Sequence, residues 1–138
     1  MLLLEFGLGM GVNLYASLPA ADHGKGVFPA FGRAVTGGPV VLTLHALLGT
    51  LLLGAGVSVL VRAARIRRGP LTALAGVALV AILLAWVSGT RFVGHGNNGA
   101  SLGMAVATAV ALLCYVTILL LVSSPPRPAD APGRESAN

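Results

Sequence analysis

The stretch Pro39-Val-Val-Leu-Thr-Leu-His45-Ala-Leu-Leu-Gly49-Thr-Leu-Leu-Leu-Gly-Ala-Gly56-Val-Ser-Val-Leu-Val61 is followed by Arg62-Ala-Ala-Arg65-Ile-Arg67-Arg68-Gly69-Pro70, and together they decide the fold. About twenty apolar residues in a row suit a helix that crosses the hydrocarbon core of a bilayer. Four of the chain's nine basic residues lie at its end, which by the positive-inside rule marks that end as cytoplasmic. Composition extends this reading to the whole chain: 56% of the 138 residues are hydrophobic and 9% are charged, against about 25% charged in soluble domains. Mean hydropathy is +0.89.

Working outward from that stretch, three further apolar runs are apparent. The expected architecture is an all-α membrane protein, a four-transmembrane-helix up-down bundle occupying residues 1–122. Its spans are expected at about 1–18, 39–61, 71–90 and 99–122, with Gly69-Pro70 ending the second helix and opening the next connection. The first run lacks a basic leader and has Leu18-Pro19-Ala20 where a signal peptide would need small residues, so it reads as a retained span. Residues 19–38, with five glycines and two prolines, read as a long connection. Residues 123–138, rich in proline and nearly free of large apolar side chains, read as a disordered cytoplasmic tail. Alternation from the arginine cluster places both termini in the cytoplasm and the chain in the plasma membrane as a multi-pass protein.

The net charge of +5 does not imply nucleic acid, because the basic residues mark topology and no basic face carries interleaved aromatics. Cys114 is the single cysteine, so neither an intrachain disulfide nor a cysteine-rich metal site can form. No His-Glu-x-x-His, phosphate loop, nucleophile elbow or carboxylate pair occurs, and the expectation is a protein without catalytic residues. The partners expected are the lipid bilayer and either further copies of the chain or a membrane complex. Gly99, Gly103, Ala107 and Ala111 form a small-residue face on the last helix for a close neighbour, and Gly7 and Gly11 suggest a second such face on the first.

Candidate site residues emerge when helical rise converts sequence offset into depth. Asn13, His45 and Met104 each lie roughly 8–9 Å below the outer ends of their spans, with Trp86 slightly shallower. An ionisable residue inside a span is a functional candidate by default, which singles out His45. A neutral imidazole ligates iron or zinc, and its second nitrogen needs a partner, for which Asn13 or Ser101 are the expected choices. His45 with Met104 or His95 then makes a candidate haem b or metal site near the outer face, in a redox or electron-transfer role. Gly49 and Gly56 would admit a flat cofactor, and Arg91 stands above to pair with propionates. A metal alone would fall to His45 and His95. A non-catalytic structural or assembly subunit is the second reading. The third is a small proton-coupled transporter, in which Glu5 exchanges protons for a cationic substrate.

Three resemblances accompany these readings. The stretches Glu5–Tyr15, His45–Gly49 and Gly94–Ala105 resemble those of small four-span integral membrane proteins of unknown function from bacteria with Ala-, Gly- and Arg-rich proteomes, a likeness that covers Glu5 to Val122 and implies no particular activity. The plan of four helices with a histidine facing the bundle is similar to that of the b-type transmembrane cytochromes and implies haem. Chain length and the carboxylate of Glu5 resemble the small multidrug-resistance transporters, which implies proton exchange. Here Glu5 is expected near the cytoplasmic interface, four residues from the start of its span.

Overall fold

The computed structural model describes residues 1–15, 26–95 and 98–123, with the backbone alone described at residues 94, 95 and 98. All regular structure among the described residues is helical: α1 (Leu2–Tyr15), α2 (Val27–Thr36), α3 (Val40–Ile66), α4 (Gly69–His95) and α5 (Asn98–Ser123). Three of them, α3, α4 and α5, are long and apolar enough to cross a membrane. α1 covers 14 described residues and runs to the edge of that described segment, so the fourth span of the expected bundle is not shown. The proline-rich tail from residue 124 lies outside the described residues.

The connection expected at 19–38 contains a helix in its described part. α2 forms because Pro29 sits in its first turn, where a missing N–H costs nothing. Ala30 and Ala34 turn inward while Phe28 stays exposed. The chain then reverses over Gly37–Pro39. A Cβ on Gly38 would stand 2.7 Å from the Ala34 carbonyl oxygen and 2.9 Å from Leu42 Cδ2, so only glycine fits. The Thr43 hydroxyl donates to that same Ala34 carbonyl at 3.1 Å and fixes the start of α3 on the end of α2.

α3 runs on through Arg62 and Arg65 to Ile66, and the difference from expectation is at Gly69-Pro70, which begins α4 instead of opening a connection. Arginine is a good helix former whose long stem lets its head reach water, so the charges do not end the helix. Arg67, at φ 56°, supplies the left-handed cap, and its N–H reaches the Ala64 carbonyl at 3.1 Å. Only Arg67 and Arg68 separate the two helices.

Packing follows the rule for helices in lipid, where small residues at the contacts allow close approach. Ala75, Ala78 and Ala111 are fully buried, whereas Leu44, Leu51, Leu83, Leu113 and Leu119 point away from the bundle. α4 lies most closely on α5, then on α3; α1 leans on α3 and touches α5, and α2 bridges α3 and α4. The core has three levels. Val12, Ala34 and Leu42 form one near the α2–α3 turn, Leu52, Ala81, Ile82 and Ala111 a middle one, and Ala63, Leu71 and Ala75 one near the arginines. Leu2 packs on the middle level, so α1 accompanies α3 over only half its length.

The small-residue face of α5 is used within the chain. Ala107 and Ala111 are buried, and a Cβ on Gly103 would meet the Ser88 hydroxyl of α4 at 3.4 Å. Of the expected pair on α1, Gly7 has nothing within 4 Å and a Cβ on Gly11 would meet Val41 Cγ1 of α3 at 3.9 Å, while the closest approach to α3 is at Gly9. Gly38→Ala is expected to destabilise the protein by about 1–3 kcal/mol, the usual cost of forcing an atom into a packed site. Thermal unfolding in detergent followed by circular dichroism reads this directly.

Candidate functional site

On α1, Glu5, Gly9 and Asn13 recur every four residues and therefore share one helix face. That face meets Leu42, His45, Gly49 and Leu52 on α3, whose spacing of three and four residues makes a matching stripe. The result is a contact that sequence did not reveal: Glu5 Oε1 lies 3.0 Å from His45 Nδ1. Their side chains are only 11% and 16% exposed.

Two glycines make room for the pair. A Cβ on Gly49 would stand 3.0 Å from Glu5 Oε1, and one on Gly9 would stand 3.1 Å from His45 Cε1. Each polar side chain thus lies over a glycine of the opposite helix. The contact is close without being well directed, since neither His45 Nδ1 nor Glu5 Oε2 has an aligned hydrogen-bond partner among the described residues. A buried polar atom left in this way costs about 1–3 kcal/mol, so the pair is a place where a further donor or a proton would be stabilising.

The pair opens onto a cavity of about 110 Å³ to which all five helices contribute. Its floor is the middle core level, through Leu2, Leu52 and Ile82. Phe31 and Trp86 wall one side, their rings 5.5 Å apart and tilted by 41°. The Trp86 indole N–H donates to the Thr50 hydroxyl at 3.3 Å, and that hydroxyl donates in turn to the Ala46 carbonyl at 2.9 Å. Toward the α4–α5 end the Ser101 hydroxyl donates to Asn13 Oδ1 at 3.3 Å. Among the described residues, Glu5 and His45 are the only charged or titratable side chains in the lining.

The residues singled out from sequence fare differently. His45, Asn13, Met104 and Glu5 all line this one cavity. Arg91 does not line it and its residue is exposed. His95 is the last residue of α4, and its side chain lies outside the described residues. The imidazole partner is Glu5, whereas Asn13 and Ser101 bond to each other. Glu5 is level with Gly49, nine residues into α3, and so stands near the middle of the bundle instead of at the interface where it was expected. The four-residue spacing of Glu5, Gly9 and Asn13 was the signal available for this.

The fit of a haem can be tested against these contacts. The notch at Gly49 is taken by Glu5 and Trp86, and that at Gly56 by Leu79, Ile82 and Tyr115, so neither leaves a flat surface. The cavity, about 110 Å³ and open on one side, would have to widen to seat a porphyrin between these helices. Among the described residues no three His, Cys, Asp or Glu side chains gather closely enough to hold a metal ion. Comparison with protein-family models, with curated proteins and with solved structures finds no match to this chain.

Gly49→Ala tests the geometry of the pair. The added methyl is expected to push the Glu5 carboxylate off His45, lowering stability by about 1–3 kcal/mol and changing the carboxyl infrared band assigned with Glu5→Gln as reference. Gly54→Ala, where a Cβ meets nothing within 4 Å, is the matched control and should leave both unchanged.

Proposed function

We propose that this chain is a small membrane carrier in which Glu5 and His45 form a proton-exchanging site for a cationic substrate. The observation that carries this reading is the 3.0 Å contact between the two side chains inside a cavity with no other charged group among the described residues. A lone carboxylate in low-dielectric surroundings is expensive. It is stabilised by a proton on the pair or by a cation beside it, and these two states exclude each other. That alternation is the elementary act of proton-coupled exchange. His45 acts as the neighbouring base and acid, and Gly9 and Gly49 hold the two groups at contact distance.

The arginines at 62, 65, 67 and 68 favour a cytoplasmic location for the α3–α4 turn. The end of α5 lies beside that turn, as Ile118 packs on Ala63, Leu71 and Ala75, and the cavity then belongs to the outer half of the membrane. In this arrangement α3, α4 and α5 cross, and α1 enters the bundle from the outer side as a short fourth helix.

Two other readings draw less support. For haem, the filled glycine notches count against a porphyrin, and protein expressed with haem available is expected to show no Soret band on purification. A structural or assembly role rested on the small-residue faces of α1 and α5; α4 occupies that of α5, whereas Gly7 on α1 has nothing within 4 Å. The carrier reading is tested in proteoliposomes with an entrapped pH indicator. A gradient of organic cations should drive proton movement through the wild type, and Glu5→Gln should reduce it at least tenfold. Proton movement undiminished in Glu5→Gln rejects the site, and a wild type inert to every cation rejects the carrier.

A further inference from the structure

The site's dimensions and polarity narrow the substrate class, an inference that rests on the carrier function. Three observations converge on one point of the cavity wall. Glu5 is nine-tenths buried and lines the cavity, and its enclosed Oε2 has no hydrogen-bond partner among the described residues, so the carboxylate is only partly answered by His45. Trp86 reaches the same notch, since a Cβ on Gly49 would lie 3.8 Å from its Cδ1 and 3.0 Å from Glu5 Oε1. An indole beside a carboxylate is the usual environment for an ammonium group, the one through its π face and the other through charge-assisted hydrogen bonds. Around them the lining is apolar, with Phe6, Phe31, Phe92 and Met104, and among the described residues it holds no lysine or arginine that would repel a cation.

Size and hydrogen bonding narrow the class further. The cavity, about 110 Å³ and open on one side, has room for a short alkylammonium group. Quaternary cations lack an N–H for a carboxylate to accept. We propose that the cavity binds a compact primary alkylammonium ion, with its N–H groups toward the Glu5 carboxylate and its short carbon chain against Trp86 and Met104.

Exchange at constant charge gives the stoichiometry to be tested, starting from a Glu5–His45 pair that carries one proton and is neutral. Binding of R–NH3⁺ releases that proton, leaving carboxylate, neutral imidazole and ammonium, which together are again neutral. One proton leaves for each ammonium bound, and no bond other than N–H or O–H to hydrogen changes. Trp86 is the single tryptophan of the chain and stands at the site, so binding has an intrinsic reporter.

The experiment uses the full chain in detergent or nanodiscs. Indole fluorescence is titrated with n-propylamine, with tetraphenylphosphonium and with neutral n-propanol, while a pH indicator in weak buffer counts released protons. Saturable change with n-propylamine, about one proton released per site, and little response to n-propanol are expected. Glu5→Gln should weaken n-propylamine at least tenfold and abolish proton release, with Glu5→Asp retaining both in part. Should Glu5→Gln fail to fold, the proton count on the wild type and the Glu5→Asp series decide. A saturable response to tetraphenylphosphonium with proton release but none to n-propylamine overturns the compact-amine assignment and leaves the carrier reading standing. Saturable binding of n-propylamine without proton release, or binding equally tight in Glu5→Gln, overturns the assignment of the ammonium to Glu5. Absence of any cation response, together with cation-independent proton movement in vesicles, removes both.

Discussion

A carboxylate within an apolar bundle has to be answered by its surroundings, and the fold is arranged around that requirement at Glu5. The imidazole of His45 lies 3.0 Å away, and the backbones of α1 and α3 come close enough for this only because Gly9 and Gly49 carry no side chain there. The polar pair and the glycine pair therefore depend on each other. Two glycines alone would leave a slack contact, and two polar groups with bulkier neighbours would be held apart. This contact, with Val12 and Leu2 at the core levels above and below, fixes how the described part of α1 sits on α3.

The rest of the bundle relies on a different interaction. α4 and α5 meet through Gly89, Gly103, Ala107 and Ala111, where dispersion between close backbones replaces the hydrophobic effect that lipid cannot supply. α3 joins them through Leu52 and Ile82 in the middle and through Ala63 and Leu71 near the arginines. The cavity forms where this three-helix unit is roofed by α1 and α2, which contribute smaller and more polar contacts. Its apolar floor separates the Glu5–His45 pair from the arginine end of the bundle.

The long helices were legible in the sequence because twenty apolar residues in lipid have a single economical conformation. Small details of their ends were not: Gly69-Pro70 reads as a break, although proline suits a first helical turn and here opens α4. α2 was hidden by its composition, since Gly26, Pro29, Gly32 and Gly37 outweigh a short amphipathic signal that becomes decisive only when α3 and α4 offer a surface. His45, Asn13, Met104 and Trp86 could be placed at one depth by counting residues, and they do line one cavity. The partner of His45 could not be found in this way. Depth counting assumes a helix that starts at the membrane surface, and α1 starts at the middle of the bundle, which raises Glu5 from the expected interface to the level of Gly49.

The α3–α4 turn is only Arg67 and Arg68, with Arg67 held in the left-handed region. Such a connection acts as a stiff pivot. It prevents α3 from sliding along α4, and the close fit of α4 on α5 prevents the same at the next joint. Under the proposed carrier function, a rearrangement that exposes Glu5 to the opposite side would involve α1 and α2 more than the three long helices, which are joined by this turn and by the α4–α5 contact.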